Sequence, residues 1–162
     1  MIHTIEKIGG TSMSDYTSVR DNIILRGKPE GGDESIFQRV FVVSAYSGMT
    51  NKLLEHKKSG QPGIYGMFAS GTEDKGWLNA LVDLEQEMQD INRQLFGEGE
   101  LLEEANTFIQ ERLNDSKSCL SDLHSLCMHG HFALDSHLAT VREMLASIGE
   151  AHSAWNTAKL LQ

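Results

Sequence analysis

The sequence predicts an α/β fold, with a parallel βαβ sheet core and a long helical-hairpin insertion. Residues 39–45 (RVFVVSA) contain a continuous β-branched and aromatic run, which is typical of a strand buried on both faces. Residues 2–8 (IHTIEKI) alternate apolar and polar side chains, which indicates another strand. Residues 74–96 and 101–128 place apolar side chains at steps of three and four, as amphipathic helices do.

Helices are predicted after each of the two strands. Residues 15–25 place Tyr16, Val19 and Ile23 on one helical face, and Ser14 or Asp15 would cap that helix. Residues 27–35 (GKPEGGDES) form a turn-rich loop, and KLLEHKK at residues 52–58 looks like the start of a second helix. The first 58 residues are thus predicted to form strand, helix, strand and helix. In such a fold, the ligand-binding loops lie at the carboxyl ends of the parallel strands.

The remainder of the chain is predicted to be mostly helical. The segment GEGE at residues 97–100 separates the two amphipathic stretches, so they are predicted to form an antiparallel hairpin. We interpret the apolar stripes of the two stretches as packing residues, and we interpret Trp77 and Trp155 in the same way. Residues 139–162 indicate one or two helices around a turn at SIGE. The chain is thus divided into residues 1–58, residues 60–145 and a last helical segment at residues 146–162.

Composition restricts the class of protein. The 162 residues fit one domain, and the net charge of −9 without basic runs argues against nucleic acid or anionic membranes as partners. No signal peptide or membrane-spanning stretch is apparent. Cys119 and Cys127 would lie about 12 Å apart along one helix, too far for a disulfide bond. Reduced thiols and a cytoplasmic location follow.

The stretch EKIGGTS at residues 6–12 has two possible interpretations. Glycines let backbone N–H groups approach a phosphate closely, and a helix that begins after the turn adds its positive dipole end. Lys7 could then offset charge on a transferring phosphoryl group. The alternative is a flexible structural turn without a ligand. The lysine precedes the glycines, so the motif is not a P-loop.

Two further stretches could carry chemistry. In VVSAYSGMTN, residues 42–51, Ser44 and Thr50 present hydroxyl groups to a small polar ligand, although Thr50 could instead cap the next helix. In SIGEAHS, residues 147–153, Gly149 interrupts a helical pattern and suggests a close approach. Glu150 could hold an ammonium group, and its alternative is a solvated surface carboxylate.

The three stretches together resemble the N-terminal half of aspartate kinases, which have the amino acid kinase fold. The motifs that carry the resemblance are KIGGTS at residues 7–12, SAYSGMTN at residues 44–51 and SIGE at residues 147–150. The sequence KIGGTSMSDY at residues 7–16 resembles the corresponding stretch of the aspartate kinases found with ectoine-synthesis genes. The intervening residues 60–145 correspond to a helical insertion that varies in the family.

The resemblance implies a role for each motif residue. Lys7 would stabilise the phosphoryl group as it passes from ATP to the β-carboxylate of L-aspartate, giving 4-phospho-L-aspartate for lysine, threonine, methionine or ectoine biosynthesis. Gly9, Gly10 and Ser12 would line the phosphate path. Ser44 and Thr50 would contact aspartate, and Glu150 would hold its α-ammonium group. ATP would bring Mg²⁺, and a cytoplasmic homo-oligomer is expected.

The family also carries elements that do not occur in this sequence. An Arg-Gly-Gly-Ser-Asp element, the adenosine-binding segment and the regulatory ACT domains follow this region in aspartate kinases, and none occurs before Gln162. We therefore expect a truncated N-terminal portion that is inactive alone, which a hydroxamate assay of the purified chain would test. A truncated sheet should also expose apolar surface and favour oligomerisation or marginal stability.

Other interpretations stay open at this stage. The chain could be a non-catalytic association module built on the helical hairpin, or an amino acid kinase with another acceptor such as glutamate. Convergence of the three motifs on one cleft would favour the enzyme. A metal site in the histidine-rich segment from His124 to His137 is disfavoured, because its spacing does not match structural zinc sites.

Overall fold

Two parallel strands form the sheet in the part of the chain that the structure describes. The computed structural model describes residues 4–25, 39–71, 76–128 and 132–162. Strand β1 (Thr4–Ile8) pairs in parallel with β2 (Arg39–Val43), and their register sets Thr4 opposite Arg39 and Ile8 opposite Val43. The predicted parallel arrangement of the two strands is confirmed. The predicted loop at residues 27–35 lies outside the described residues.

Short helical segments follow β1. Helix α1 spans Gly10–Met13, α2 spans Tyr16–Val19, and a π-helical turn spans Arg20–Ile24. Asp15 is the N-cap of α2, and its carboxylate accepts a hydrogen bond of 3.2 Å from the Ser18 N–H. The prediction of a helix over residues 15–25 capped at its start is therefore confirmed, with Asp15 as the cap.

Two more short helices follow β2, and here one prediction was wrong. Helix α3 spans Met49–Leu53 and α4 spans Ile64–Ala69. The helix predicted over residues 52–58 ends at Leu53, because the chain turns there and forms an antiparallel bridge between Glu55 and Pro62. The Gly63 N–H donates to the Leu54 carbonyl at 2.9 Å, which satisfies an acceptor that a continuing helix would have used.

The predicted helical hairpin is present. Helix α5 spans Gly76–Phe96 and α6 spans Glu100–Met128, and they pack against each other along their length. Gly97 has a φ of +68°, a left-handed conformation that glycine adopts without strain, and it reverses the chain. The buried apolar side chains of the two helices match the predicted stripes: Trp77, Leu81, Leu84, Met88, Leu102, Ala105, Ile109, Leu113 and Leu120.

Helix α7 (Leu138–Leu160) follows a 3₁₀ turn (Leu134–Ser136) and packs on the hairpin, β2, α3 and α4. It runs without a break through SIGE, so the turn that the sequence allowed there does not form and no boundary lies between residues 145 and 146. The packing role predicted for tryptophan is confirmed by aromatic contacts. Trp155 stacks on Phe108 at 5.2 Å, and Trp77 meets Phe68 edge-on at 5.6 Å.

One face of the two-stranded sheet is exposed, which contradicts the prediction of a strand buried on both faces. Val40 and Val42 of β2 are 50% and 46% exposed, and Ile5 of β1 is 74% exposed. The opposite face carries buried Ile8 and half-buried Val43. Helix α7 packs on β2, and the burial of Ile8 and Val43 indicates that it covers their face of the sheet.

Among the described residues, no helix combines the length and the apolar character that crossing a bilayer requires.

Candidate functional site

Lys7 and the two glycines lie at the carboxyl end of β1, where the strand turns into α1. Lys7 is opposite Val42 in the strand register, and its side chain is exposed. Gly9 is the N-cap of α1 and has extended backbone, with φ −75° and ψ 158°. Gly10 and Ser12 belong to the first turn, whose N–H groups have no acceptor within a helix. Because α1 has only four residues, its dipole contributes little to anion binding, contrary to the expectation from the sequence.

The second loop leaves the carboxyl end of β2 beside the first. The Ser44 N–H donates to the Ile8 carbonyl at 3.0 Å, which extends the ladder between the strands by one bond. Gly48 is the N-cap of α3 and has a left-handed φ of +86°. Thr50 therefore lies inside α3 rather than capping it, so the capping alternative for Thr50 was wrong. The side chains of Ser44 and Thr50 are half-buried.

The two loops contact each other through backbone and one hydroxyl group. The Ser14 hydroxyl accepts from the Ser47 N–H at 3.0 Å and donates to the Gly10 carbonyl at 3.3 Å. A Cβ atom at Gly10 would lie 2.5 Å from the Ala45 carbonyl oxygen. Gly10 is therefore needed for the close approach of the loops, independently of any ligand.

The third motif meets the second loop at the same residue. A Cβ atom at Gly149 would lie 2.9 Å from the Ala45 Cβ and 3.3 Å from the Leu53 Cδ1. The close approach predicted for Gly149 is thus confirmed. Buried Ala45 is the common neighbour of Gly10 and Gly149, so all three motifs converge at the carboxyl edge of the strand pair. Glu150, the next residue of α7, is exposed.

A separate groove lies on the other side of the second loop. Its volume is about 510 Å³, and Gly48 and Asn51 line one wall while Asp83 and Glu87 of α5 line the other. Lys52 forms an ion pair with Glu87 at this groove. The predicted site residues are absent from its lining: Lys7, Gly9, Gly10, Ser12, Ser44, Thr50 and Glu150. The groove is therefore distinct from the surface where the three motifs converge.

A buried polar cluster behind the second loop was missed by the sequence analysis. It comprises Tyr46 of the loop, Asn92 of α5, and His152 and Asn156 of α7. Asn92, His152 and Asn156 are 0% exposed and Tyr46 is 4% exposed. A signal existed in the sequence. His152 and Asn156 continue the buried stripe of α7 at a spacing of four residues, where apolar side chains would be expected.

Burial keeps the titratable members of the cluster neutral. Desolvation lowers the pKa of His152 to about 4 and raises the pKa of Tyr46 to about 12, although the Asn156 hydrogen bond to Tyr46 opposes the second shift. His152 Nε2 lies 2.6 Å from Asn92 Oδ1, an acceptor, and 3.0 Å from Asn156 Nδ2, a donor. The shorter contact favours the neutral imidazole that carries its proton on Nε2 and donates it to Asn92. His152 Nδ1 has no partner among the described residues.

The lowered pKa of His152 predicts a specific acid sensitivity. Between pH 6.5 and pH 4 the unfolded chain binds a proton at this residue and the folded chain does not, so the free energy of unfolding falls as the pH falls. The loss approaches about 3 kcal/mol at pH 4, and about 2 kcal/mol should be lost by pH 5. Urea unfolding at a series of pH values measures it.

The control for this measurement is His152→Gln, which retains an N–H donor and removes the titration. The variant should have a flatter dependence of unfolding free energy on pH between 6.5 and 5, a range above the titration of most carboxylates. Equal slopes for the variant and the original chain would contradict the assignment of this sensitivity to His152.

The histidine-rich segment is only partly described. His129 and His131 lie outside the described residues, whereas His124 and His137 lie within them. In the described ranges, no three or more His, Cys, Asp or Glu side chains are placed to hold a metal ion.

Comparison with known proteins gives one informative match. The chain is 52% identical over 161 residues to the protein named aspartate kinase Ask_Ect from Stutzerimonas stutzeri (strain A1501). The match covers 99% of this chain and 33% of the relative, so the chain spans one third of the relative's length. No protein-family model matches the chain. No solved structure matches it either.

The resemblance that the sequence motifs indicated is therefore confirmed by an independent measure that does not depend on those motifs alone. The alignment covers the helical residues 60–145 as well as the two ends of the chain, since it includes 99% of the sequence. Along nearly all of its own length, this chain is similar to that one protein, which is named as an aspartate kinase.

Proposed function

We propose that this chain supplies the aspartate-binding surface and the first phosphate loop of an aspartate kinase with the amino acid kinase fold. The reaction would transfer the γ-phosphate of ATP to the β-carboxylate of L-aspartate and yield 4-phospho-L-aspartate. The observation that carries the proposal is the meeting of three motifs at Ala45. We assign the ectoine-cluster subtype, and lysine and threonine biosynthesis are the other pathways that could use the product.

The first loop would act on the phosphoryl group. Lys7 is exposed at the strand end, beside the N–H groups that open α1. A cation at this position would offset the charge that develops on the phosphoryl oxygens during transfer. Gly9 leaves open space around its Cα, because a Cβ atom there would have no neighbour within 4 Å. Gly9, Gly10 and Ser12 would thus form the wall along which the phosphate lies.

The second loop and α7 would hold aspartate. Ser44 and Thr50 would donate hydroxyl hydrogen bonds to its carboxylates, while Glu150 would accept from its α-ammonium group. Glu150 follows Gly149, which contacts the loop directly, so the carboxylate is close in sequence to the contact point. Discrimination against glutamate would come from the distance between the Glu150 carboxylate and the phosphoryl path, since glutamate is one methylene longer.

Mg²⁺ would enter the site with ATP. When bound with ATP, the ion would supply positive charge at the phosphates, and Lys7 would add the positive charge that this chain contributes. Magnesium commonly keeps several waters and one or two carboxylates as ligands, so it does not require a protein cage. The residues of this chain would therefore position the acceptor and the phosphoryl group.

The same surface argues against a purely associative role for the hairpin. In an association module the three motifs would have no reason to meet, whereas Gly10 and Gly149 both approach Ala45 closely. We also propose a cytoplasmic homo-oligomer. Cys119 and Cys127 are free thiols, and the exposed apolar face around Val40 and Val42 is suited to burial against further protein.

The proposal can be tested in an enzyme of full length. The test enzyme is defined as the Stutzerimonas stutzeri relative in which the matching segment is replaced by these 162 residues, an exchange that 52% identity makes feasible. Hydroxamate formation should depend on both ATP and L-aspartate. Calorimetry should detect aspartate binding and weaker or no glutamate binding. Turnover of glutamate in preference to aspartate would contradict the proposal.

Replacement of Glu150 by glutamine tests the substrate assignment. Loss of a charged hydrogen-bond partner should raise the KM for aspartate roughly 10- to 100-fold and leave the KM for ATP nearly unchanged. Glu143→Gln is the matched control, because Glu143 is an exposed carboxylate two turns earlier on the same helix. Equal KM values for the two variants would remove Glu150 from the site.

A further inference from the structure

A chain of buried hydrogen bonds connects the second loop to the helical hairpin. Asn92 Nδ2 donates to Asn106 Oδ1 at 3.0 Å, which joins α5 to α6. Asn156 Nδ2 donates to Asn92 Oδ1 at 2.9 Å and to Tyr46 Oη at 3.3 Å. The bonds thus run from α6 through α5 and α7 to the second loop, and they link residues up to 110 positions apart in the sequence.

Each side chain in this series of hydrogen bonds is oriented by the groups to which it is bonded. Because Asn92 Nδ2 faces the Asn106 oxygen, Asn92 Oδ1 points to α7, where it accepts from both His152 Nε2 and Asn156 Nδ2. With the His152 proton on Nε2, the two N–H groups of Asn156 donate to Asn92 and Tyr46, and the 3.0 Å approach of Asn156 Nδ2 to His152 Nε2 is a contact between two donors. The His152 ring also contacts the Tyr46 ring edge-on, with centroids 5.2 Å apart. Tyr46 is thereby held in position and orientation.

The cluster is a poor device for stability. His152 Nδ1 and Asn156 Oδ1 are buried without a partner among the described residues. A buried polar group without a partner destabilises a fold, and apolar side chains of similar shape would avoid this penalty. Directional bonds are instead suited to fixing one arrangement of a segment. The segment in question is the loop that contains Tyr46.

Tyr46 lies between the two residues that we assign to aspartate binding. Ser44 is two residues before it and Thr50 is four residues after it. The Tyr46 carbonyl accepts from the Met49 N–H at 3.1 Å, so its backbone also sets the start of α3. A shift of the Tyr46 ring would therefore move both hydroxyl groups relative to Glu150 on α7.

We infer that the buried cluster of Tyr46, Asn92, His152 and Asn156 is a positioning device that sets the affinity for the amino acid substrate. Its members do not touch the substrate. They act by holding the second loop against α7, and Asn92 extends this control to the helical hairpin. The inference rests on the proposed function, because it deepens the account of the same site.

The test is a matched pair of tyrosine substitutions in the test enzyme. Tyr46→Phe removes a hydroxyl group that accepts a hydrogen bond, whereas Tyr16→Phe removes a buried hydroxyl group that has no partner within the described part of the chain. We expect Tyr46→Phe to raise the KM for aspartate roughly 3- to 10-fold, with the KM for ATP and kcat nearly unchanged. Tyr16→Phe should leave all three values as they were.

Two further variants distinguish positioning from stability. Asn92→Leu should raise the KM for aspartate at least as much as Tyr46→Phe, although Asn92 lies on the hairpin. His152→Gln should preserve the KM better than His152→Leu, because it keeps an N–H donor near Asn92. A merely structural role would reduce the amount of active enzyme, and thus apparent kcat, without changing the KM.

The outcomes separate the inference from the proposed function. If the unsubstituted test enzyme phosphorylates aspartate and Tyr46→Phe has the same KM as Tyr16→Phe, the inference is overturned while the proposed function stands. If the unsubstituted test enzyme does not use aspartate, the proposed function fails and the inference fails with it. A selective rise in the aspartate KM for Tyr46→Phe and Asn92→Leu supports the inference.

Discussion

Replacement of Lys7 by alanine in the test enzyme is expected to lower kcat by roughly 10²- to 10³-fold, the effect of removing a group that stabilises transition-state charge. The KM for aspartate should change little, because Lys7 would face the phosphoryl group rather than the amino acid. Initial rates of hydroxamate formation at saturating ATP and aspartate measure the change. Lys7→Arg should recover only part of the activity, since its planar guanidinium has a different reach.

The electrostatic surroundings of Lys7 support this expectation. Its neighbour Glu6 is bound by Arg39 through two hydrogen bonds of 2.7 Å, and Arg39 also donates to the carbonyls of Ile23 and Ile24. Across the described ranges, no carboxylate forms an ion pair with Lys7. The carboxylate nearest in sequence is therefore already neutralised, and the lysine charge is available to a phosphate.

The control for Lys7 is Lys58→Ala, which removes the same charge from an exposed loop position away from the three motifs. That variant should retain full activity. If Lys7→Ala lost no more activity than Lys58→Ala, the first loop would be a structural turn, and the phosphate role assigned to it would be wrong.

Local sequence signals predicted the elements that depend on near neighbours. Asp15 caps α2 because a side-chain oxygen three residues before a free N–H suffices for that bond. The hairpin stripe from Trp77 to Leu120 followed from helical periodicity, which each helix satisfies along its own length. The tight fit at Gly149 was also apparent, since glycine within a helix is unfavourable without a packing reason.

Features that depend on distant partners were not predictable in the same way. The exposure of Val40 and Val42 depends on what lies against the sheet, and a run of β-branched residues is the same whether one or both faces are covered. The stripe of α7 could have marked His152 and Asn156 as buried, but their partners Tyr46 and Asn92 could not be identified, because they are far away in sequence. Within the continuous helix through SIGE, the residue against which Gly149 packs, Ala45, is more than 100 positions away, so the sequence could not identify it.

The two adjacent glycines of the first loop should respond oppositely to alanine. Gly10→Ala would set a Cβ atom 2.5 Å from the Ala45 carbonyl oxygen, a backbone atom that can move only if the second loop moves. We expect the free energy of unfolding to fall by about 2–3 kcal/mol, the range for overpacked sites. Gly9→Ala should be neutral or stabilising by up to about 1 kcal/mol, because its φ of −75° suits alanine and no atom lies within 4 Å.

Urea unfolding of the 162-residue chain measures both effects, and the activity of the test enzyme then separates structure from chemistry. If Gly9 lines the phosphate path, Gly9→Ala should keep full stability yet lose activity, because its new Cβ would occupy space that the phosphate requires. Gly10→Ala should lose both. Full activity in a stable Gly9→Ala enzyme would mean that phosphate does not pass this residue. Equal free energies of unfolding for Gly9→Ala and Gly10→Ala would mean that the first loop does not approach Ala45 closely.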